Sequence, residues 1–203
     1  MRDGTRTKAR IEAEALRLFA AKGVDGTSVR EIAGAVGVAE GALYRHFASK
    51  EDLARGIFLK GYAALAEKVN AVGASGAPFE EIVGRVVAIF CQLFDSDRPL
   101  FSFLLTSQHA FLADVPTDAR LNAVEAVAAI FREAMRRGRI APGDADFLAA
   151  LALGLVVQPA TFTLYGRLSG SMTARTAELS RAVVAAADAA STRKAPLRRA
   201  ALS

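Results

Sequence analysis

The stretch TSVREIAGAVGVAEGALYRHFASKEDL, residues 27–53, decides the fold. Ser28 and Glu31 have the S-x-x-E spacing of a capping box, which satisfies free backbone N–H groups at the start of a helix. Gly37 can adopt the left-handed conformation that ends a helix in a sharp turn. Between these two points, apolar residues recur at helical spacing: Val29, Ile32, Ala33 and Val36. The pattern predicts a helix-turn-helix whose first helix begins at Thr27 and Ser28.

A second, very short helix is predicted after the turn, over residues 40–46. Leu43 and Phe47 are four residues apart, so both are expected to face the small core. Tyr44, Arg45 and His46 lie between them and are therefore directed toward solvent or DNA, where their donors can reach phosphates and base edges. The next helix begins at Lys50, which adds a positive charge and a helix N-terminus, both suited to phosphate.

The remaining sequence also has helical periodicity, without alternating strand patterns bounded by hairpin turns. The predicted fold is all-α: an N-terminal three-helix helix-turn-helix DNA-binding domain, followed by a C-terminal helical bundle for ligand binding and dimerisation. The predicted domains are residues 1–60, residues 61–191 and a basic tail at 192–203 that is expected to be disordered. Outside the helix-turn-helix, helices are predicted at about 6–22, from 50 onward, and at 79–95, 118–137, 144–168 and 173–191, with an apolar segment at 100–112.

Composition and charge narrow the function. The chain has 203 residues and is 52% hydrophobic, which is enough for one or two domains with a sizeable core. Residues 1–60 contain 11 Lys or Arg against 8 Asp or Glu, and residues 192–203 contain four basic residues and no acid. A basic N-terminal end suggests that it meets an anion such as nucleic acid. A polar, basic N-terminus without a secretory signal makes the cytoplasm the expected location.

Catalytic and metal chemistry find little support in the sequence. The single cysteine, Cys91, excludes an intramolecular disulfide framework and a cysteine-based zinc site. The only two histidines are His46 and His109, and there is no Glu-x-x-His pair, P-loop or nucleophile elbow. We therefore predict that the protein is not an enzyme, has no catalytic or metal-binding residues and needs no cofactor.

One segment is long and apolar enough to span a bilayer. Residues 147–166, FLAALALGLVVQPATFTLYG, contain no charged side chain. Gln158, Pro159, Thr161 and Thr163 crowd its second half, however, and a helix that is apolar nearly all round can instead be buried in a protein or between two subunits. We expect the buried arrangement and no membrane partner.

Residues 27–53 resemble the DNA-binding domain of the tetracycline-repressor (TetR) family. The family pattern G-V-x-x-x-x-L-Y-x-H-F-x-x-K-x-x-L is met by Gly37, Val38, Leu43, Tyr44, His46, Phe47, Lys50 and Leu53. The resemblance implies a ligand-responsive transcriptional regulator, most often a repressor. Such a regulator binds a near-palindromic operator in double-stranded DNA as a homodimer and is released by a small apolar or amphipathic effector. The alternative is a DNA-binding regulator without a small-molecule effector, either an activator or a protein controlled by a partner.

The resemblance also implies roles for individual residues. A flexible arm with Arg2, Arg6 and Lys8 could follow the DNA backbone or minor groove. Many relatives have serine or threonine where Ala39 and Ala42 stand. Because alanine has no side-chain hydroxyl, Ala39 cannot cap its helix, and Ala42 offers only an apolar contact, for example to a thymine methyl. The implied DNA-binding residues are Thr27, Ser28, Arg30, Gly41, Ala42, Tyr44, Arg45, His46 and Lys50.

The rest of the chain is implied to bind the effector and form the dimer. Aromatic side chains with a few embedded polar groups suit a small-molecule pocket, although each aromatic could equally be a core residue. The predicted pocket residues are Phe90, Phe94, Phe103, Gln108, His109, Phe131, Gln158 and Phe162. The last two helices are expected to pair with their twofold mates as a four-helix bundle through Leu151, Leu155, Leu179 and Val183.

Overall fold

A computed structural model describes residues 2–191, and every regular element within that range is helical. The all-α prediction is confirmed. The basic tail at 192–203 and the side chain of Arg2 lie outside the described residues. The α-helices are α1 (Arg2–Lys22), α2 (Val29–Val36), α3 (Glu40–Tyr44), α4 (Lys50–Gly73), α5 (Phe79–Ser96), α6 (Arg98–Thr106), α7 (Gln108–Phe111), α8 (Ala123–Arg136), α9 (Ala145–Leu164) and α10 (Thr176–Ser191), with short 3-10 helices at Leu112–Asp114 and Thr173–Arg175.

The helix-turn-helix forms as the sequence predicts. The Ser28 side chain accepts a hydrogen bond from the Glu31 N–H, and the Glu31 carboxylate accepts from the Ser28 N–H, which completes the capping box of α2. Gly37 then turns the chain with φ of 75°, in the left-handed region that favours glycine. Helix α3 begins at Glu40, after an N-cap residue, Ala39, that makes no side-chain cap, and it ends at Tyr44, two residues before the predicted end.

Helix α1 is longer than predicted. It begins at Arg2 rather than near residue 6 and ends before Gly23, whose φ of 76° stops it. The basic residues Arg6 and Lys8, predicted to lie in a flexible arm, are therefore held on the first two turns of a helix. Helical backbone fixes the direction in which each of these side chains leaves the chain.

The chain divides into two compact units. Among the described residues, 2–68 and 92–123 form the first, called the N-terminal unit, and 69–91 and 124–191 form the second, called the C-terminal unit. In the core of the N-terminal unit α1 packs against α6, and the ring of Phe103 lies 5.8 Å from that of Phe19 and 6.5 Å from that of Phe58. This division reflects packing only, so the functional boundary near residue 60 stays a prediction.

Within the C-terminal unit, α9 packs against α10, and the rings of Phe79 and Phe131 join α5 to α8 at a centroid distance of 6.0 Å. Arg139 follows α8 and pairs with Glu80 and Asp188, so that one guanidinium connects three parts of this unit. All three charged groups are exposed to water, so their pairing contributes little stability by itself.

Helix α8 begins five residues later than the sequence predicts, at Ala123 instead of 118. The Asp118 carboxylate accepts hydrogen bonds from both the backbone N–H and the guanidinium of Arg120, and the Asn122 amide donates to the Pro116 carbonyl. These hydrogen bonds pair polar groups of residues 116–122 within a turn, and this local pairing is an alternative to helical hydrogen bonds there. The apolar segment at 100–112 is likewise interrupted, because α6 ends before Ser107 and α7 begins after it.

Candidate functional site

The surface formed by α2 and α3 carries most of the predicted DNA-binding residues. Leu43 is buried at 4% exposure, whereas its neighbour Tyr44 is 58% exposed. Arg45 and Gly41 are also exposed. The buried residues Ala42 and Leu43 thus hold the Tyr44 hydroxyl at the end of α3, and the Arg45 guanidinium just after it, toward solvent. Both groups can donate hydrogen bonds to phosphate or to base edges.

The N-terminus of α2 contributes a second exposed group to this surface, with Ser28 and Arg30 both in solvent. The Lys22 ammonium lies 2.6 Å from the Glu31 carboxylate, which also accepts from the Ser28 N–H at 2.9 Å. The Lys22 hydrogen bond, followed by those from Ser28, lowers the pKa of Glu31 to about 2. Glu31 is therefore ionised at neutral pH, and its carboxylate takes part in the capping box at the start of α2.

Two predicted contact residues are not on the surface. Thr27 is 1% exposed, and its hydroxyl donates to the Gly23 carbonyl at 2.8 Å, closing the turn between α1 and α2. Ala42 is 8% exposed and offers little surface to a thymine methyl. The sequence pattern places both residues at the start of a helix but does not reveal that their side chains turn inward.

His46 and Lys50 are half-buried. The His46 ring lies 6.3 Å from the Phe47 ring, and the Lys50 ammonium lies 3.7 Å from the Glu51 carboxylate. The Lys50 side chain is 17% exposed, and Lys50 is the first residue of α4. An ammonium at a helix N-terminus suits a phosphate, but this one is partly covered before any DNA is bound.

Two further residues bear on this surface, and sequence reasoning missed the contacts that they make. Arg10 of α1 donates from Nη2 to the Val36 carbonyl at 2.6 Å, and the Lys8 ammonium lies 5.4 Å from the centre of the Phe47 ring. Arg10 and Val36 are 26 residues apart. No local spacing rule connects residues at that distance, so no signal in the sequence could have found the pair.

The predicted ligand pocket is only partly assembled. Phe90 and Phe131 line one cavity of about 30 Å³ in the C-terminal unit. Phe94 and Phe103 instead belong to the buried core of the N-terminal unit. Gln108 is half-buried and His109 exposed on α7, while Gln158 and Phe162 are exposed on α9. The other residues around the cavity are Val83, Val86, Val87, Val127, Ile130, Ala152, Leu153, Val156 and Val183.

The predicted dimer residues divide in the same way. Leu151 and Leu155 are half-buried on α9, but Leu179 and Val183 of α10 are only 7% and 3% exposed and pack inside the protomer. Leu179 and Val183 are therefore covered within the protomer, and their part in a dimer surface stays a prediction. The large apolar residues that do face outward on or just after α9 are Phe147 at 55%, Phe162 at 44% and Tyr165 at 76% exposure. We call these three residues, with Leu151 and Leu155, the outer face of α9.

Helix α9 also has the length and composition to cross a membrane, and 28% of its most apolar window is buried. Among the described residues no other helix meets that test, and a single such helix is weak evidence for a span. Within the same residues no group of three or more His, Cys, Asp or Glu side chains could hold a metal ion. The lowered carboxyl pKa values there, at Glu31, Glu80, Asp118 and Glu133, arise from surface arginines or lysines rather than from a cleft.

Comparison with known proteins finds a family match in the region that contains α2 and α3. Residues 11–57 match the model of the bacterial regulatory proteins of the tetR family. The HTH-type transcriptional repressor KstR2 of Mycobacterium tuberculosis is 36% identical over 78 residues, which is 37% of this chain and 38% of KstR2. The regulator AcrR of Shigella flexneri is 53% identical over 47 residues, 23% of this chain and 22% of AcrR. The chain thus spans well under half the length of the curated relatives it matches.

Solved structures resemble the fold over most of the chain. FadR from Bacillus subtilis, in complex with stearoyl-CoA, has a TM-score of 0.71 at 20% identity and covers 87% of this chain and 97% of its own. AibR, in complex with isovaleryl coenzyme A and operator DNA, has a TM-score of 0.64 at 24% identity, covering 89% and 97%. At these identities the likeness concerns the fold alone.

Proposed function

The chain belongs to the tetR family of bacterial regulatory proteins, and we propose that it is a ligand-responsive repressor that binds a near-palindromic operator as a homodimer. The observation that carries the proposal is the exposure of Tyr44 and Arg45 beside the exposed N-terminus of α2. Buried Leu43 fixes these donors in direction, so they can enter a major groove together. Ser28, Arg30, Gly41 and Lys50 complete the proposed contact surface, with His46 at its half-buried edge.

The second copy docks through the outer face of α9. Its exposed phenylalanines and tyrosine, together with half-buried Leu151 and Leu155, form an apolar surface without a charged side chain within α9 beyond its first turn. Burying such a surface between twofold mates removes it from water. The two recognition helices then contact major grooves about one DNA turn, roughly 35 Å, apart.

A small apolar or amphipathic effector releases the operator by favouring a conformation with a different spacing of the two helices. The cavity that holds Phe90 and Phe131 is lined by hydrocarbon side chains, which suits an aliphatic group. Its volume of about 30 Å³ is that of one small group, whereas pockets for small ligands usually have about 300–1,000 Å³. The effector must therefore widen this cavity or bind elsewhere, and the same unit has two larger open concavities of about 410 Å³ and 370 Å³.

The small cavity also favours a second candidate function. A regulator without a small-molecule effector, controlled by a partner protein or acting as an activator, needs no preformed pocket. It uses the same DNA-binding surface and the same dimer. The two candidates differ only in whether a small molecule changes operator affinity.

DNA binding is tested by selecting duplexes from a random library with the wild-type protein and measuring affinity for the selected sequence. Tyr44→Ala and Arg45→Ala are each expected to weaken operator binding by about 10- to 100-fold, because each removes donors that reach the DNA. The matched control is Arg120→Ala, whose side chain is 86% exposed but lies outside α2 and α3. Failure of the wild-type protein to enrich any near-palindrome would contradict the proposed function.

The effector is tested with acyl-coenzyme A thioesters of increasing chain length, because two structural neighbours were solved with such compounds. Coenzyme A without an acyl chain is the control. An effector raises the melting temperature because it binds the folded state, and it lowers operator affinity in parallel. If neither these compounds nor a wider metabolite panel changes either quantity, the regulator without an effector is the better account.

A further inference from the structure

The recognition helix α3 is poorly supported by its own sequence. It has five residues, no side-chain hydrogen bond at its N-cap Ala39 and no basic residue in its last turn. Isolated helices much longer than this are only marginally stable in water. Within α3 only Ala42 and Leu43 are buried, so contacts from outside α2 and α3 can help to set its orientation.

Arg10 provides one such contact at the turn before α3. Helix α2 has no basic residue in its last turn, and the carbonyl of its last residue, Val36, accepts from the Arg10 guanidinium at 2.6 Å. The C-terminal carbonyls of a helix carry partial negative charge and lack intrahelical partners. Arg10 thus gives α2 the C-terminal cation that its own sequence lacks, one residue before Gly37 turns the chain toward α3.

Lys8 provides a second contact, at the other end of α3. Its ammonium lies 5.4 Å from the centre of the Phe47 ring, within the range of a cation–π attraction. The backbone of α1 also passes close to His46, since a Cβ placed on Gly4 would lie 3.9 Å from His46 Cε1. Side chains of α1 therefore contact Val36, four residues before α3 begins, and Phe47, three residues after α3 ends.

We propose that Arg10 and Lys8 are positioning residues that act from α1 to fix the orientation of α3, without contacting DNA themselves. The contacts are properties of the free protein, while their consequence for operator recognition rests on the proposed function. Lys8 was expected to follow the DNA backbone, but here its charge is held on the Phe47 ring. Arg6, Lys8 and Arg10 are all exposed on α1, and Arg6 is the candidate phosphate contact because its charge is not used in either of these two contacts.

The first test measures amide hydrogen exchange in the free, full-length protein. Arg10→Met removes the donors and the charge but keeps the aliphatic stem, and Arg10→Lys restores a cation that can donate to Val36. The reporters are the His46 and Phe47 amides, which donate to the Leu43 carbonyl at 2.8 and 3.0 Å. In Arg10→Met we expect them to exchange about five- to tenfold faster, with α4 amides unchanged and most of the effect reversed in Arg10→Lys.

The control for this test is Arg17→Gln, which alters an exposed arginine of the same helix whose partner is Glu14. It is expected to leave the reporter amides unchanged. Two outcomes would overturn the proposal. Unchanged exchange in Arg10→Met would mean that Arg10 does not stabilise α3. Equal acceleration throughout α4 would mean that Arg10 stabilises the whole domain and not α3 in particular.

The second test uses the selected operator and the dependence of affinity on salt. Each phosphate contact that is lost reduces the slope of log affinity against log salt by about one. For Arg10→Met and Lys8→Met we expect operator affinity to fall by about three- to tenfold with the slope unchanged, whereas Arg6→Gln lowers the slope by about one. A reduced slope in Arg10→Met would overturn the proposal by making Arg10 a phosphate ligand.

The two tests separate the positioning role from the proposed function. Hydrogen exchange needs no DNA, so a loosened α3 in Arg10→Met supports the contact even if the wild-type protein selects no operator. In that case the proposed function fails and the positioning of α3 stands. If wild type and Arg10→Met bind the operator equally well, the proposed function stands and the positioning role of Arg10 fails.

Discussion

The helix-turn-helix and the cavity region of the C-terminal unit differ in how their functional residues are brought together. On the first surface, Ser28, Tyr44 and Arg45 lie in or directly beside two short helices, and all three are exposed. Around the cavity, side chains come from α5, α8, α9 and α10, and only Phe90 and Phe131 of the eight predicted pocket residues line it. A site within one motif can be located from sequence spacing, whereas a cavity depends on which distant faces meet.

The largest effect that can test this contrast is at Phe103, which was predicted to line a pocket. Its side chain is fully buried against Phe19 and Phe58, so Phe103→Ala should reduce the free energy of unfolding by about 3–5 kcal/mol. Leu112→Ala, at a site that is 41% exposed, should cost well under about 1 kcal/mol. Urea unfolding measures both. If Phe103→Ala lowered the free energy of unfolding only slightly and also altered the response to the effector, Phe103 would be better described as a pocket residue.

A second pair separates burial from self-association. Val183 was predicted at the dimer surface but is 3% exposed and lines the cavity. Val183→Ala should therefore cost about 1–3 kcal/mol of unfolding free energy and leave the dimerisation constant nearly unchanged. Leu151→Asp, on the outer face of α9, should weaken the dimer about tenfold or more because it places a charge in an apolar interface. Sedimentation equilibrium measures the dimer, and the reverse pattern would mean that α10 forms the interface.

The cap of α2 allows a smaller and more local test of the helix-turn-helix. Ser28→Ala removes the side-chain acceptor of the Glu31 N–H and should lower the free energy of unfolding by about 1 kcal/mol. Ser28→Thr keeps the acceptor and should lose less than half of that. Ser96→Ala, near the C-terminal end of α5 where the hydroxyl bonds only to the Gln92 carbonyl, is the matched control. Equal losses at Ser28 and Ser96 would argue against a functioning cap.

The smallest expected effect is a pH dependence that compares the two units. The pKa of both Glu31 and Glu133 is lowered to about 2, by Lys22 and by Arg136 with Arg137 respectively. A carboxyl with a lowered folded-state pKa stabilises the protein above its ordinary value of 4.5, and this stabilisation disappears as the pH falls toward about 2. Glu31→Gln and Glu133→Gln should each remove a small part of the stability lost between about pH 5 and pH 2. Because both carboxylates lie at the surface in contact with water, an effect that dominated acid unfolding would contradict their assignment as screened surface pairs.

The errors of the sequence analysis have related physical causes. Thr27 lies two residues before α2 begins, and its buried hydroxyl donates to the Gly23 carbonyl. Leu179 and Val183 have the spacing of one helical face, and the structure turns that face inward. Helical spacing tells which residues share a face, but the neighbouring helices decide whether that face is covered. For the same reason, Phe162 and Gln158 were taken for pocket residues although both are exposed on α9.

The sequence by itself determined the all-helical fold, the position of the helix-turn-helix, the cap at Ser28 and the turn at Gly37. Each of these depends on groups a few residues apart, whose bonds form wherever the rest of the chain lies. Only the tertiary structure decided the bond from Arg10 to Val36, the residues that surround the cavity and the exposure of the outer face of α9. These features join elements far apart in the chain, where burial and shape rather than local spacing select the partners.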